Sequence, residues 1–548
     1  MSNQLPDAGP GVMIALVLVI LVSAWLGAVA QRVVERGSFL QGYFLGNRGL
    51  GVWTMALTAT VQSGGTFMGF PSLVYSHGWV VALWICSYMI VPLTGFTVLG
   101  KRFAQLSRRT SALTVPDLFR GRFDSPILGL VTSLLIMFFL SFMMAAQFKA
   151  GAIVMKLSLP LFAHEAVSLA LSEDLPAGAA SLGVGYYIGL AVFSITVVGY
   201  TLWGGFLASV WTDLFQSVLM LLGVLALLFL ALPLAGGLEN ATRVAIQQTG
   251  PGFATGPGYV PDGHPFLPLS LACSMFFVWI FGGIAAPASM VRVMASKDTG
   301  TLRRSIVVLG GYNLLIYIPL IAICISARVI IPNLPPSQSD EVVPRMALLT
   351  TSQIPGGSLL AGLILSAPFG AVMATVSAYL VVIASGLVHD VYQRFINPAA
   401  DEARLRRVTY GVMLALGLVA LLANINPVQY LQALIVFCTS SGAASFLIPA
   451  LMAAYWRRAT AAGAISAMLG GAATVLALSA MGWWQTWLIE HGWLAPTPLI
   501  GQATSFRPYF LYGMEPVVWG LLVSLTLGVG VSLCSRPPRD ELLKQMFE

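Results

Sequence analysis

Charge is what this 548-residue chain has least of: Asp, Glu, Lys and Arg make up 9% of it against 57% hydrophobic residues, where a soluble domain carries about 25% charged residues. That balance excludes water as its main solvent. Cysteine is scarce as well. Cys86, Cys273, Cys324, Cys438 and Cys534 all fall inside or at the edge of apolar runs, with no C-x-x-C pair and no histidine cluster nearby. They read as packing residues, which leaves no cofactor or redox metal to expect. No G-x-x-x-x-G-K-[ST] run occurs, which excludes ATP-driven pumping by this chain alone. No His, Asp or Cys constellation sits at a common depth, so the chain does not read as an enzyme. The net charge of +7 is scattered in short clusters and not gathered on one stripe, so nucleic acid is not an expected partner.

What the chain has in abundance is apolar sequence. Runs at 11–30, 52–78, 79–100, 127–157, 182–203, 206–235, 267–291, 306–332, 357–388, 409–425, 429–455, 460–481 and 516–535 predict an all-α integral membrane protein with about thirteen transmembrane helices. The first run ends in Ala28-Val29-Ala30, which looks like a signal-peptidase site, but Asp7 precedes the run and Arg32, Arg36 and Arg48 follow it. Positive charge on that side keeps it in the cytoplasm, so the run is expected to stay as a first span with its N-terminus outside.

An odd number of spans then places the C-terminus in the cytoplasm. The clusters Lys101 to Arg122, Arg292 to Arg304 and Arg394 to Arg407 all fall inside, as do Arg457, Arg458 and the tail basic residues. Of the 28 Lys and Arg residues, only Lys149, Lys156, Arg243, Arg328, Arg345 and Arg507 fall toward the outside. Trp483, Trp484, Trp487 and Trp493 crowd one outer boundary as an aromatic belt would. The expected location is the cell inner membrane. The tail after Cys534 reads as too short for a kinase or nucleotide-binding domain.

Two spans carry interruptions that a plain membrane helix avoids, because Gly and Pro release backbone groups that hydrocarbon cannot satisfy. The second holds Gln62-Ser63-Gly64-Gly65-Thr66 and then Pro71; the seventh holds Gly282-Gly283 and Pro287. They lie five spans apart and so cross in opposite senses. An inverted five-plus-five repeat produces this, with residues 52–235 as the first repeat and 267–455 as the second. One extra helix (11–30) precedes the repeats and two (460–535) follow, within a single domain, 1–548. Substrate and ion would be held near the midplane, where both helices unwind. The alternative is that the glycines only allow close helix packing.

At the first break, N–H groups from Gly64, Gly65 and Thr66 sit at a half-helix N-terminus, whose dipole favours a negative group, and Ser63 and Thr66 add hydroxyls. A substrate carboxylate would fit there; equally, hydroxyls three apart can satisfy neighbouring backbone. Asp213 is the one acid that lies clearly at membrane depth, as an ion-site candidate or a helix N-terminal charge. In Ala371-Val372-Met373-Ala374-Thr375-Val376-Ser377, small residues and hydroxyls share neighbouring faces, as cation coordination or close packing requires. Gln147 is a substrate-binding candidate, whereas Lys149 is close enough to the outer surface to snorkel.

The motifs Tyr43-Phe44-Leu45-Gly46-Asn47-Arg48, Met68-Gly69-Phe70-Pro71, Thr114-Val115-Pro116-Asp117-Leu118 and Tyr200-Thr201-Leu202-Trp203-Gly204-Gly205-Phe206, with Trp211-Thr212-Asp213 and Gln216, follow one another in order. With Val291-Arg292-Val293-Met294-Ala295 and Arg458 before Gly463-Ala464, they resemble the sodium:solute symporter family, in its pantothenate-permease-like branch, across nearly the whole chain. The resemblance implies the leucine-transporter fold and sodium held by Ala59, Gln62, Ala371 and Thr375, with Ala374 where the family has serine. It implies a possible second cation site at Asp213 and Ser377, which lacks hydroxyls at Ala374 and Ala378. One coupling ion is therefore favoured. Ser63 and Thr66 match positions that contact a substrate carboxylate in an acid-transporting relative.

The expected function is secondary active symport: Na+-coupled uptake of a small organic solute, a carboxylate such as pantothenate or a short monocarboxylate. A proton-coupled carrier of the same fold is one alternative. A transporter-like sensor acting with a separate kinase is another.

Overall fold

Helices dominate because the apolar runs leave the backbone no other way to satisfy its own hydrogen bonds in lipid. The computed structural model describes residues 6, 8–34, 49–59, 63–159, 183–255, 267–427, 431–494 and 507–547. In chain order its main helices are α1 (Gly9–Val34), α2 (Val52–Ala59), α3 (Phe70–His77), α4 (Val80–Thr94), α5 (Val115–Phe123), α6 (Pro126–Ser158), α7 (Val184–Leu234) and α8 (Gly237–Thr249). There follow α9 (Leu269–Ala285), α10 (Pro287–Met294), α11 (Thr299–Ile330), α12 (Val342–Thr351), α13 (Gly357–Ser385), α14 (Glu402–Ala423), α15 (Leu431–Tyr455), α16 (Ala461–Glu490), α17 (Pro516–Cys534) and α18 (Asp540–Phe547).

Twelve helical stretches among the described residues are long and apolar enough to cross a membrane. The expected second span is described as α2 and, from Ser63, as a π-helical turn over Gly65–Gly69 that runs into α3. The spans expected at 182–203 and 206–235 join as α7, which bends at Gly205, a residue at φ 55 and ψ −142 that a side chain would oppose.

The core is helix α13. Every residue from Ile364 to Ser385 is buried, with α1, α6 and α7 packed around it. The outer helices α1, α14 and α17 instead turn large apolar side chains such as Leu21, Leu418 and Leu533 outward, as a lipid-facing rim does. Trp483, Trp484, Trp487 and Trp493 are exposed at the end of α16 and just beyond it.

The seventh span is also divided, though not where the sequence suggested. Gly282 and Gly283 remain inside α9, and the helix is interrupted at Ala286, extended at φ −62 and ψ 119, ahead of Pro287 at the start of α10. The proline ring pushes the residue before it out of the helical region, so Pro287 sets the break. The glycines serve packing: a Cβ on Gly282 would lie 2.2 Å from Thr439 Cγ2, and one on Gly283 2.4 Å from Val91 Cγ1.

The two broken spans meet at one end. Leu50 N–H donates to Ala295 O (3.3 Å) and Lys297 N–H to Leu50 O (3.2 Å), so the chain entering α2 runs beside the chain leaving α10. The pair therefore runs in opposite senses through the bundle.

Several charges lie deeper than their sequence surroundings indicated. Lys149 is buried and paired with Asp340 at 2.8 Å and does not snorkel. Arg292, expected in a cytoplasmic cluster, is buried in α10. Asp213 is joined by Asp340, Glu341, Asp390 and Glu515 as buried acids.

Candidate functional site

The site is built around the first break. Gln62 and the motif from Tyr43 to Arg48 lie outside the described residues; Ala59 is the last described residue of α2, and Ser63 opens the turn into α3. Gly64 is glycine because two helices press on it. A Cβ there would stand 2.7 Å from Ala150 Cβ of α6 and 3.3 Å from Val372 Cγ2 of α13.

The backbone donors of this turn are all engaged. Gly64 N–H donates to Gln147 Oε1 at 2.7 Å, Gly65 N–H to Ser63 Oγ at 3.1 Å, and Thr66 N–H to Ser63 O at 2.9 Å. Ser63 N–H in turn donates to Thr66 Oγ1 at 3.4 Å. The hydroxyls thus close on neighbouring backbone, and the group resting on Gly64 is an amide oxygen from α6. Gln147 is fully buried, and its Nε2 has no hydrogen-bond partner among the described residues.

Around this turn the sequence signal gave less warning. Thr66 Oγ1 lies 3.1 Å from Tyr317 OH of α11. Ring contacts continue from Tyr317 to Phe70 and Tyr88, then to Trp279 and Trp84. The indole N–H groups of Trp84 and Trp279 are buried without a partner among the described residues, as is Gln432 Oε1 of α15. Gln432 lies against the turn, since a Cβ on Gly69 would meet its Oε1 at 2.3 Å. Apolar walls with a few unfilled polar atoms are what a small-molecule site presents. Tyr317, Gln432 and the two tryptophans carry no local motif in the sequence; only their depth in apolar runs marks them.

The candidate cation ligands come together in part. Thr375 Oγ1 donates to Ala371 O at 2.9 Å, so two ligand oxygens sit side by side on α13, one turn apart and next to Val372, which touches Gly64. Hydroxyl and carbonyl oxygens are the hard donors that an alkali or alkaline-earth cation takes. Ala374 contributes its carbonyl to Ser377 Oγ (3.0 Å) and no hydroxyl of its own.

Asp213 and Ser377 are not joined directly. Ser377 Oγ lies 2.9 Å from Ser209 Oγ, one turn before Asp213 on α7. Asp213 Oδ2 instead accepts from Arg292 Nη2 at 2.6 Å, while its Oδ1 has no partner among the described residues. The guanidinium of α10 thereby supplies positive charge at the place where a second cation was expected.

The chain matches the model of the sodium:solute symporter family over residues 43–173 and 166–471. It is 31% identical over 466 residues to the sodium/pantothenate symporter of Escherichia coli strain K12, covering 84% of this chain and 89% of that one. It is 25% identical over 481 residues to the sodium/proline symporter of the same organism, covering 86% and 88%. Among solved structures, a Na+-coupled sialic acid symporter in a substrate-bound, outward-open state superposes with a TM-score of 0.65 at 18% identity, covering 97% of this chain and 100% of that one.

Proposed function

Because this chain belongs to the sodium:solute symporter family, and is a multi-pass sodium-coupled carrier of a small organic solute, we propose that its cargo is a carboxylate held at the turn from Ser63 to Thr66. The observation that carries this is the Gly64 N–H bonded at 2.7 Å to Gln147 Oε1. An N–H at a half-helix N-terminus that donates to an amide oxygen will donate to a carboxylate oxygen more strongly, because the acceptor is then charged. Gln147 holds the place until substrate arrives, and its amide N–H2 then becomes a donor to the second carboxylate oxygen.

The solutes named for the three relatives, pantothenate, proline and sialic acid, are all carboxylates. Pantothenate is the preferred candidate, being the solute of the relative that reaches 31% identity. Hydroxyl and amide groups along such a molecule have partners in Gln432 Oε1 and the two indole N–H groups, which are unpaired among the described residues.

Sodium is the coupling ion. In this proposal Ala371 O and Thr375 Oγ1 hold it on α13, and the carbonyls of Ala59 and Gln62 are its expected further ligands. No cofactor beyond that ion is required. A second ion at Asp213 and Ser377 is disfavoured, since Arg292 already neutralises Asp213. The repeats are assigned to 52–235 and 267–455. The protein is placed in the inner membrane with its N-terminus outside and its C-terminus cytoplasmic, on the distribution of Lys and Arg.

The test is uptake of labelled pantothenate into proteoliposomes under an inward Na+ gradient, with unlabelled pantothenate, lactate and proline as competitors. Sodium-dependent uptake competed by carboxylates, and not by the corresponding amides, is the expected result. Uptake of none of these acids, or equal competition by pantothenamide, would overturn the carboxylate assignment.

A further inference from the structure

A second polar cluster lies away from the transport site, where α5 meets the extension of α13. That helix continues through a π-helical segment, Gly386–Ile396, so the whole stretch Gly357–Ile396 has 40 residues. At about 1.5 Å per residue it outreaches a bilayer core of about 30 Å, and its last turns project beyond it. In the orientation proposed above, they project into the cytoplasm.

There Asp117, His389 and Asp390 bring one oxygen or nitrogen atom each within 4.8 Å of one another. His389 Nδ1 is 2.8 Å from Gln393 Oε1. An amide oxygen can only accept, so Nδ1 donates to it, and Nε2 is turned to Asp117 Oδ2 at 3.9 Å. A histidine oriented by an outer hydrogen bond, with its free nitrogen facing carboxylates, is the arrangement metal sites use. Thr114 Oγ1 braces the third group, bonding to Asp390 at 3.0 and 2.8 Å.

A positive charge already stands among the three. The guanidinium of Arg394 donates to Asp117 Oδ1, lies 3.3 Å from His389 Nε2, and approaches Asp390 Oδ1 no closer than 3.9 Å. It fills the place imperfectly: its Nε is buried without a hydrogen-bond partner among the described residues, and Asp390, almost wholly buried, has no cation within hydrogen-bonding reach there. Two carboxylates thus face one guanidinium in a buried pocket.

We propose that Asp117, His389 and Asp390 form a binding site for a first-row divalent cation of the Zn2+ type, entered by displacing Arg394 toward solvent. One imidazole and two carboxylates suit such an ion, and a small dication would reach all three ligands where the guanidinium reaches two. The site ties α5 to the end of the core helix that carries Thr375.

The experiment uses full-length protein in nanodiscs, its affinity tag removed, titrated with Zn2+ alone by calorimetry and followed by thermal melting. Wild type is expected to bind one Zn2+ per chain at this site and to melt at rising temperature as Zn2+ increases. His389→Gln should lose the site, and Gln393→Leu should weaken it by about tenfold or more through the freed imidazole. Arg394→Met should bind more tightly, because the competing cation is gone. Sodium-driven uptake by each variant reports that it is folded. Absence of Zn2+ binding by wild type, or a His389→Gln titration superposable on that of wild type, overturns the proposal.

Discussion

At the scale of single residues, the transport site turns on which atom occupies the Gly64 N–H. Gln147 is neutral and can yield to an anionic ligand. Gln147→Glu would put a permanent carboxylate on the same donor, repelling the substrate's own. The expected outcome is a KM for the carboxylate raised about tenfold or more, equivalent to roughly 1.4 kcal/mol, with kcat less affected, as measured by uptake kinetics in proteoliposomes. Asp213 and Arg292 make the second case. Removing one partner from a buried pair leaves an uncompensated charge and costs about 3–5 kcal/mol, whereas replacing both by neutral groups recovers much of that. Arg292→Met should therefore unfold at markedly lower temperature than wild type, and the double variant Asp213→Asn/Arg292→Met should regain most of the loss in the same melting assay. Neither pairing was legible in the sequence. The partners are 79 residues apart for Arg292 with Asp213 and 191 for Lys149 with Asp340. A charge in an apolar run announces a need for a partner but not its address.

At the scale of elements, the broken helices were the most readable feature, because what breaks them is local. Pro287 acts through its ring on the residue before it, so its effect is written in two consecutive residues, whereas Gly64, itself helical, answers to Ala150 and Val372. The exact seat of the second break was not readable, since glycine serves both breaking and packing and only the tertiary neighbours decide between them. This division is testable. Gly283→Ala should destabilise by about 1–3 kcal/mol through overpacking against Val91, and adding Val91→Ala should rescue it in a denaturation assay. Pro287→Ala should leave stability nearly unchanged while allowing α9 to run through Ala286, with transport rate falling and expression maintained.

At the scale of the whole molecule, the apolar runs carried the architecture, because length and hydrophobicity are what a spanning helix requires. How the last spanning helix attaches to the rest was not legible. Glu515 caps α17 just before the span: its Oε1 accepts from Ser440 of α15 at 2.7 Å, its Oε2 from Val517 N–H at 2.6 Å, and its own N–H donates to Ser274 of α9 at 2.9 Å. Burial pushes its carboxyl up to about 7, against the opposing pull of the Val517 N–H and the Ser440 hydroxyl. A carboxyl whose value is raised on folding holds its proton more tightly in the folded state. Its contribution to stability is therefore full below the ordinary value of 4.5 and is lost as pH climbs through about 7. The melting temperature of wild type should fall across that window relative to Glu515→Gln, whose neutral amide removes this dependence; parallel profiles would contradict it.

The tie between Leu50 and the segment Ala295 to Lys297 has a consequence for how this transporter would look to genetics. It joins the entrance of one broken helix to the exit of the other through main-chain atoms only, so the two share a fastening that no side chain contributes. An alanine scan would pass over it in silence, scoring both segments as tolerant. A proline at either donor, Leu50→Pro or Lys297→Pro, deletes an N–H itself and should register there, lowering transport while neighbouring alanine variants remain active. The connection between the two broken helices would thus be hidden from the commonest form of mutational survey by being made of the one part of the chain that every residue has in common.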